Sequence, residues 1–303
     1  MIRELPLTID PVAARRWAAR AHAPSPWLHE EVARRMAERL EVIRLPVRRW
    51  AHWEPARGGL AGHDLVAAHY PRAQAFRVSA PAVDTPSTVQ NQAWWQRWGR
   101  ARAPRATVTA PPEGAMQLVW ANMLAHQVAD PAALLADWQR ALAVDGFVMF
   151  SCLGPDTLRE LRALYAAAGW PPPAQDFTDM HDWGDQLAAA GFTEPVMDME
   201  RLTLTYDTPA RLLAELRELG RNQHPARYDA LRTPVWRERL EQALDQHLRP
   251  AGGGPLRLTF EVIYGHALKA APHHVVAPQT AVSLQDMRQQ LRQRHVHESS
   301  KHS

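Results

Sequence analysis

The chain has 303 residues, 46% of them apolar, a single cysteine, and 35 basic against 32 acidic side chains. That is enough apolar material for one large α/β domain or two small ones, while the lone Cys152 excludes an intramolecular disulfide and any zinc cluster built on several thiolates. No run of about 18 apolar residues is present, the N-terminus lacks the charged-then-apolar form of a signal peptide, and the arginines are interspersed with acids; a cytoplasmic protein without membrane or nucleic-acid partners is expected.

From Pro11 to about Leu45 the pattern predicts one amphipathic helix, with Trp27, Leu28, Val32, Met36, Leu40 and Ile43 on its apolar face. A short strand over Trp50–Trp53, the glycine-containing loop Glu54–Leu60 and a helix from about Gly62 to His69 follow in the order of a βα nucleotide-side unit. Ala73–Val78 reads as a second strand. The stretch from Pro81 to Pro112 offers one helix, Asn91–Trp98, whose Trp94, Trp95 and Trp98 are read as an apolar face.

Regularity returns with the strand Met116–Ala121 and a helix capped by Asp130, with Pro131 in its first turn, that runs to Gly146. Phe147–Ser151 reads as a buried strand, completing a βαβ unit, with Cys152 as a core thiol at its end. Thr157 and Glu160 have the spacing of a capping box opening a helix that ends at Gly169. Val196–Tyr206 alternates as an edge or antiparallel strand. Pro209–Leu248 is helical with breaks at Gly220 and Pro234, and Leu256–Ala267 alternates again. The tail from Pro272, rich in serine and histidine, supports no core and is assigned no metal site.

Three stretches carry a family likeness. The first is Leu118-Val119-Trp120-Ala121-Asn122-Met123-Leu124-Ala125-His126 with Asp130-Pro131 and Asp145-Gly146; the second is Phe150-Ser151-Cys152-Leu153-Gly154-Pro155-Asp156-Thr157-Leu158-Arg159-Glu160-Leu161. The third joins Asp179-Met180-His181-Asp182, Ala190-Gly191-Phe192, Pro195–Glu200 and Leu202–Tyr206 to Tyr264-Gly265-His266-Ala267. The first is similar to the fourth- and fifth-strand block of class I methyltransferases. The second resembles one family in particular, the biotin-pathway malonyl-acyl-carrier-protein O-methyltransferases.

This resemblance covers roughly residues 12 to 270. It implies a Rossmann-like α/β sheet in the order 3-2-1-4-5-7-6 with strand 7 reversed, and a helical cap. The implied organisation is a helical segment over 1–45, a methyltransferase-like domain over 46–270 with a cap at about 207–250, and a disordered tail over 271–303. It further implies S-adenosyl-L-methionine as donor and acyl carrier protein bearing a malonyl thioester as acceptor. The free malonyl carboxylate is already a nucleophile, so alignment and water exclusion are the main tasks.

On the donor side the sequence departs from the family. An acidic residue and three alternating glycines should follow strand 1, where Glu54, Ala56, Gly58 and Leu60 stand, with Gly59 available in a shifted register. Ser79 occupies the position of the carboxylate that accepts the ribose hydroxyls, with Asp84 five residues on, and Glu113 is the nearest acid to the adenine-reading position. The donor candidates are therefore Glu54, Gly58, Gly59 and Ser79. Asn122 and His126, at a strand's carboxyl end, are the candidate catalytic residues. In the cap, Arg217, Arg221 and Arg227 are the candidate clamp for a carboxylate or phosphate, among Asn222, His224 and Arg232. Two other outcomes fit the same residues: a non-catalytic relative that still binds a carrier protein, and a methyltransferase with a different small-molecule acceptor.

Overall fold

A computed structural model describes residues 8–20, 25–79 and 106–271. The expectations for Asp84, for the tryptophan helix over 91–98 and for the tail from 272 lie outside the described residues.

The N-terminal region forms two helices, α1 (Pro11–Ala18) and α2 (Trp27–Glu38), where one long helix was expected. Asp10 caps α1 through the Val12 and Ala13 amides, and Pro26 stands in extended conformation as the N-cap of α2. N-caps at Asp10 and Pro26 open two separate helices, and a proline at 26 offers no amide to continue a preceding turn. The helix α2 buries Leu28, Val32, Ala33 and Met36 and ends in a 3₁₀ turn over Arg39–Val42.

The remaining elements in chain order are β1 (Arg49–Trp53), α3 (Pro55–Gly58), α4 (Leu60–His69), β2 (Gln74–Val78), β3 (Ala106–Val108), β4 (Met116–Ala121), α5 (Pro131–Ala141), β5 (Leu142–Leu153), α6 (Arg159–Ala167), α7 (Met180–Ala189), β6 (Phe192–Tyr206), α8 (Pro209–Leu219), α9 (Pro234–Leu248) and β7 (Leu256–Lys269). Seven strands form one sheet in the order β3-β2-β1-β4-β5-β7-β6. The pairs among β1 to β5 are parallel, and β7 runs antiparallel to both β5 and β6. This is the class I methyltransferase sheet. The parallel centre is buried on both faces, as its continuous apolar strands require: Leu118, Trp120, Phe147 and Phe260 lie in one core, and Val119, Val148, Phe150 and Cys152 in the other.

Two local readings are corrected. The helix α5 ends at Ala141, not Gly146, because the chain turns extended at Leu142 and bulges, pairing Met116 with Leu142 but Leu118 with Phe147. Asp145 takes up the bulge with φ 63°. The capping box does not form either: α6 starts at Arg159, and the Thr157 hydroxyl donates to Glu261 O at 3.1 Å while accepting from Glu261 N at 3.1 Å. The Glu160 carboxylate accepts from Thr259 N at 3.0 Å. Both residues fasten α6 to β7. Among the described residues no helix is long and apolar enough to cross a membrane.

Candidate active site

The site is built where β1, β4 and β5 end. The strand β1 pairs Trp53 with Val78, and the chain then turns sharply at Glu54, whose φ of 50° and ψ of 55° lie in the left-handed region. A glycine adopts that conformation without strain; glutamate does not. One helical turn, α3, follows, closed by the Arg57 and Gly58 amides donating to Glu54 O at 3.0 and 2.9 Å.

The two glycines have packing duties. A Cβ on Gly58 would stand 2.4 Å from Asn122 O, and Gly59 has φ 111° with Glu30 Oε2 only 2.9 Å from where its Cβ would be. The helix α2 lies directly over this turn. Glu30 Oε2 accepts from Ala61 N at 3.0 Å, so a carboxylate of α2 caps the N-terminus of α4. Ser25 donates to the same carboxylate. His29 Nδ1–H donates to Arg57 O at 2.7 Å.

Asn122, fully buried at the end of β4, is consumed by the protein itself. Its Nδ2 donates to His29 O at 2.8 Å and to Gly58 O, and its Oδ1 accepts from Ser151 Oγ at 2.7 Å. Ser151 Oγ in turn accepts from Met123 N at 3.0 Å. The side chain ties α2, the β1 turn, β4 and β5 together and does not line the neighbouring cavity. The geometry gives it a positioning role in place of the catalytic one expected.

His126 does face that cavity, from a 3₁₀ turn over Ala125–Gln127. It is 8% exposed, accepts from Leu153 N at its Nδ1 at 3.3 Å, and meets Phe177 edge to face. Burial first, then the nearby His29 and Arg57, hold its pKa well below the usual histidine range, so the ring is neutral. The cavity, about 110 Å³, is walled by Leu153, Leu158, Leu161, Phe177 and Phe260, with Trp17, Gln127, Thr157 and Arg221 among its polar groups. It is smaller than a typical drug-sized pocket of roughly 300 Å³ or more, which suits a short acyl head.

The three cap arginines separate. Arg227 is committed elsewhere: it pairs with Asp10 Oδ2 at 2.8 Å and donates to His224 O at 3.0 Å, so it anchors the start of α1. That corrects the expected clamp role, which rested on charge spacing along the cap and could not reveal a partner at residue 10. Arg221 lines the cavity, and its pKa is lowered by burial and then by Arg20 and Arg217. Among the described residues none of Arg20, Arg217 and Arg221 makes an ion pair, leaving a positive rim. Arg232 stacks on Tyr228 and Trp236.

The donor side is poorer. Ser79 donates its amide to Val108 O at 3.2 Å, a strand contact, and no carboxylate stands at the end of β2 among the described residues. Glu113 lies within 3.8 Å of Arg140, near the end of α5 that leads into β5, at the opposite edge of the sheet from the strand ends. Among the described residues, neither a ribose carboxylate nor an adenine-reading acid stands at the strand ends beside the turn after β1.

Three residues that sequence reasoning passed over complete the site. Arg57, 8% exposed, donates from Nη2 to Gln127 Oε1 at 2.9 Å, and Trp17 Nε1 donates to the same oxygen at 2.9 Å. A basic residue inside a turn expected to be glycine was the available signal.

No protein-family model matches the chain. Among curated proteins it is similar to malonyl-acyl-carrier-protein O-methyltransferase of Gallionella capsiferriformans, 37% identical over 268 residues, which cover 84% of this chain and 88% of the relative. The protein of the same description from Laribacter hongkongensis is 38% identical over 253 residues, covering 80% and 83%. The one from Halorhodospira halophila is 37% identical over 243 residues, covering 79% and 80%. Among solved structures the fold matches the YcgJ protein of Bacillus subtilis with a TM-score of 0.50 at 16% identity, over 80% of this chain and 99% of that one.

Proposed function

Because the chain belongs to the malonyl-acyl-carrier-protein O-methyltransferase family, we propose that it esterifies the free carboxylate of a malonyl group carried as a thioester on acyl carrier protein. The donor that the resemblance implies is S-adenosylmethionine, and the pathway it implies is biotin-precursor synthesis. The observation that carries this reading is a small, largely apolar cavity at the ends of β4 and β5 with an arginine rim that makes no ion pair among the described residues.

In this reading Arg20, Arg217 and Arg221 attract the phosphate of the carrier's prosthetic arm. Leu153, Leu158, Leu161, Phe177 and Phe260 exclude water from the acyl head. The neutral His126 forms part of the wall and needs to remove no proton, since the acceptor oxygen is already ionised. Asn122 acts through others, holding the β1 turn against β4. No residue is assigned to the adenosine.

The test is incubation of the purified chain with S-adenosylmethionine and malonyl carrier protein, read by mass spectrometry of the carrier. Accumulation of the methyl ester is expected. A second reading, a non-catalytic carrier-binding relative, is favoured by the donor side alone; carrier binding without any ester would select it.

A further inference from the structure

Arg57 poses a physical problem that the proposed reaction does not use. It is 8% exposed, its Nε has no hydrogen-bond partner, and among the described residues no carboxylate stands within ion-pair distance of it, the Glu54 carboxylate acting on it only from beyond that distance. A guanidinium stays charged under these conditions. An unpaired buried charge is costly, and a neutral amide oxygen is a weak substitute for the anion that would offset it.

That amide oxygen marks the seat. Gln127 Oε1 receives Arg57 Nη2 and Trp17 Nε1, each at 2.9 Å, so two buried donors from separate segments converge on one oxygen. Arg57 Nε supplies a third donor close by on the same guanidinium. Trp17, Gln127 and His126 all line the cavity of about 110 Å³. A planar carboxylate entering from that cavity and displacing the Gln127 amide would gain two guanidinium donors and an indole N–H.

We propose that Arg57 and Trp17 form a carboxylate seat, held by Gln127 until ligand arrives, and that this seat reads the charged end of the acyl group. This rests on the proposed function for the identity of the acyl group, though not for the seat itself. The same carboxylate chemistry could come from the amino-acid end of a methyl donor, and the experiment separates the two sources.

The experiment is calorimetric titration of the full chain with malonyl-coenzyme A, acetyl-coenzyme A and S-adenosylhomocysteine, on the native protein, Arg57→Met and Gln127→Glu. The native protein is expected to prefer malonyl- over acetyl-coenzyme A by about tenfold or more, as a charge-assisted bidentate contact provides. Arg57→Met should bring that ratio to about one. Gln127→Glu places a carboxylate of the protein in the seat, so it should fold, melt at higher temperature than the native chain, and also lose the preference. Retained preference in Arg57→Met, with S-adenosylhomocysteine binding also unchanged, overturns the seat and leaves the proposed function standing. If Arg57→Met does not fold, a retained preference or a lowered melting temperature in Gln127→Glu overturns the seat. Loss of S-adenosylhomocysteine binding in Arg57→Met with the malonyl preference intact assigns the carboxylate to the donor and overturns the acyl assignment. No preference in the native protein, together with Arg57-dependent binding of another carboxylate such as succinyl-coenzyme A, upholds the seat and overturns the malonyl reading.

Discussion

Replacing Asn122 by alanine separates a catalytic role from a positioning one. The substitution removes hydrogen bonds to His29 O, Gly58 O and Ser151 Oγ, all in a fully buried setting. At about 1 kcal/mol net for each bond the loss is about 3 kcal/mol, a large part of the roughly 5–15 kcal/mol that holds a domain folded. At about 2–4 °C per kcal/mol for a domain of this size, the melting temperature should fall by about 6–12 °C. Thermal unfolding followed by circular dichroism reads this directly. Ser151→Ala shares one of the three bonds, so the double variant should be less destabilised than the sum of the singles, by about 1 kcal/mol. Unchanged melting of Asn122→Ala with methyl transfer abolished would refute the reasoning and return Asn122 to the chemistry.

Other expectations follow from the same geometry. His52 is fully buried beside Trp50 and His63, and burial, then His63 and Arg77, lower its pKa well below that of the unfolded chain. The unfolded state therefore binds the extra proton, and stability should decline as pH falls below about 6.5, by up to about 1.4 kcal/mol per pH unit; urea titrations should show a shallower decline in His52→Leu. Ser79→Asp restores a carboxylate at the end of β2 and should tighten S-adenosylhomocysteine binding about tenfold, the worth of one good charge-assisted contact, as measured by calorimetry. Arg217→Glu with Arg221→Glu reverses the rim and should weaken carrier binding about tenfold or more at low salt, with the difference shrinking as salt rises in surface plasmon resonance. Thr157→Val leaves both Glu261 backbone groups without their side-chain partner and should cost about 1–3 kcal/mol in denaturant titration.

The central sheet was legible because β4 and the core of β5 are continuous apolar runs bounded by turn residues, which local pattern detects. The caps at Asp10, Asp130, Thr208 and Thr233 are local devices too, and their helices start at the prolines that follow. What failed was long-range. Thr157 and Glu160 had capping-box spacing, yet their partners Glu261 and Thr259 come from a strand about a hundred residues away. Arg227 looked like part of a clamp until folding brought Asp10 to it. The turn after β1 stands where the sequence put it, but Gly58 and Gly59 proved to be glycines for the sake of Asn122 O and Glu30, a close approach that no local sequence signal encodes. Arg57 and Trp17 were missed for the same reason, since only the fold brings them to Gln127.

The most direct measurement is single-vessel methyl transfer: the purified chain, S-adenosylmethionine and malonyl carrier protein, with the carrier analysed by intact mass. Conversion of the malonyl carrier to its methyl ester in excess over enzyme is expected, with acetyl carrier unchanged. Carrier protein that binds but stays unmodified at every donor concentration would contradict it.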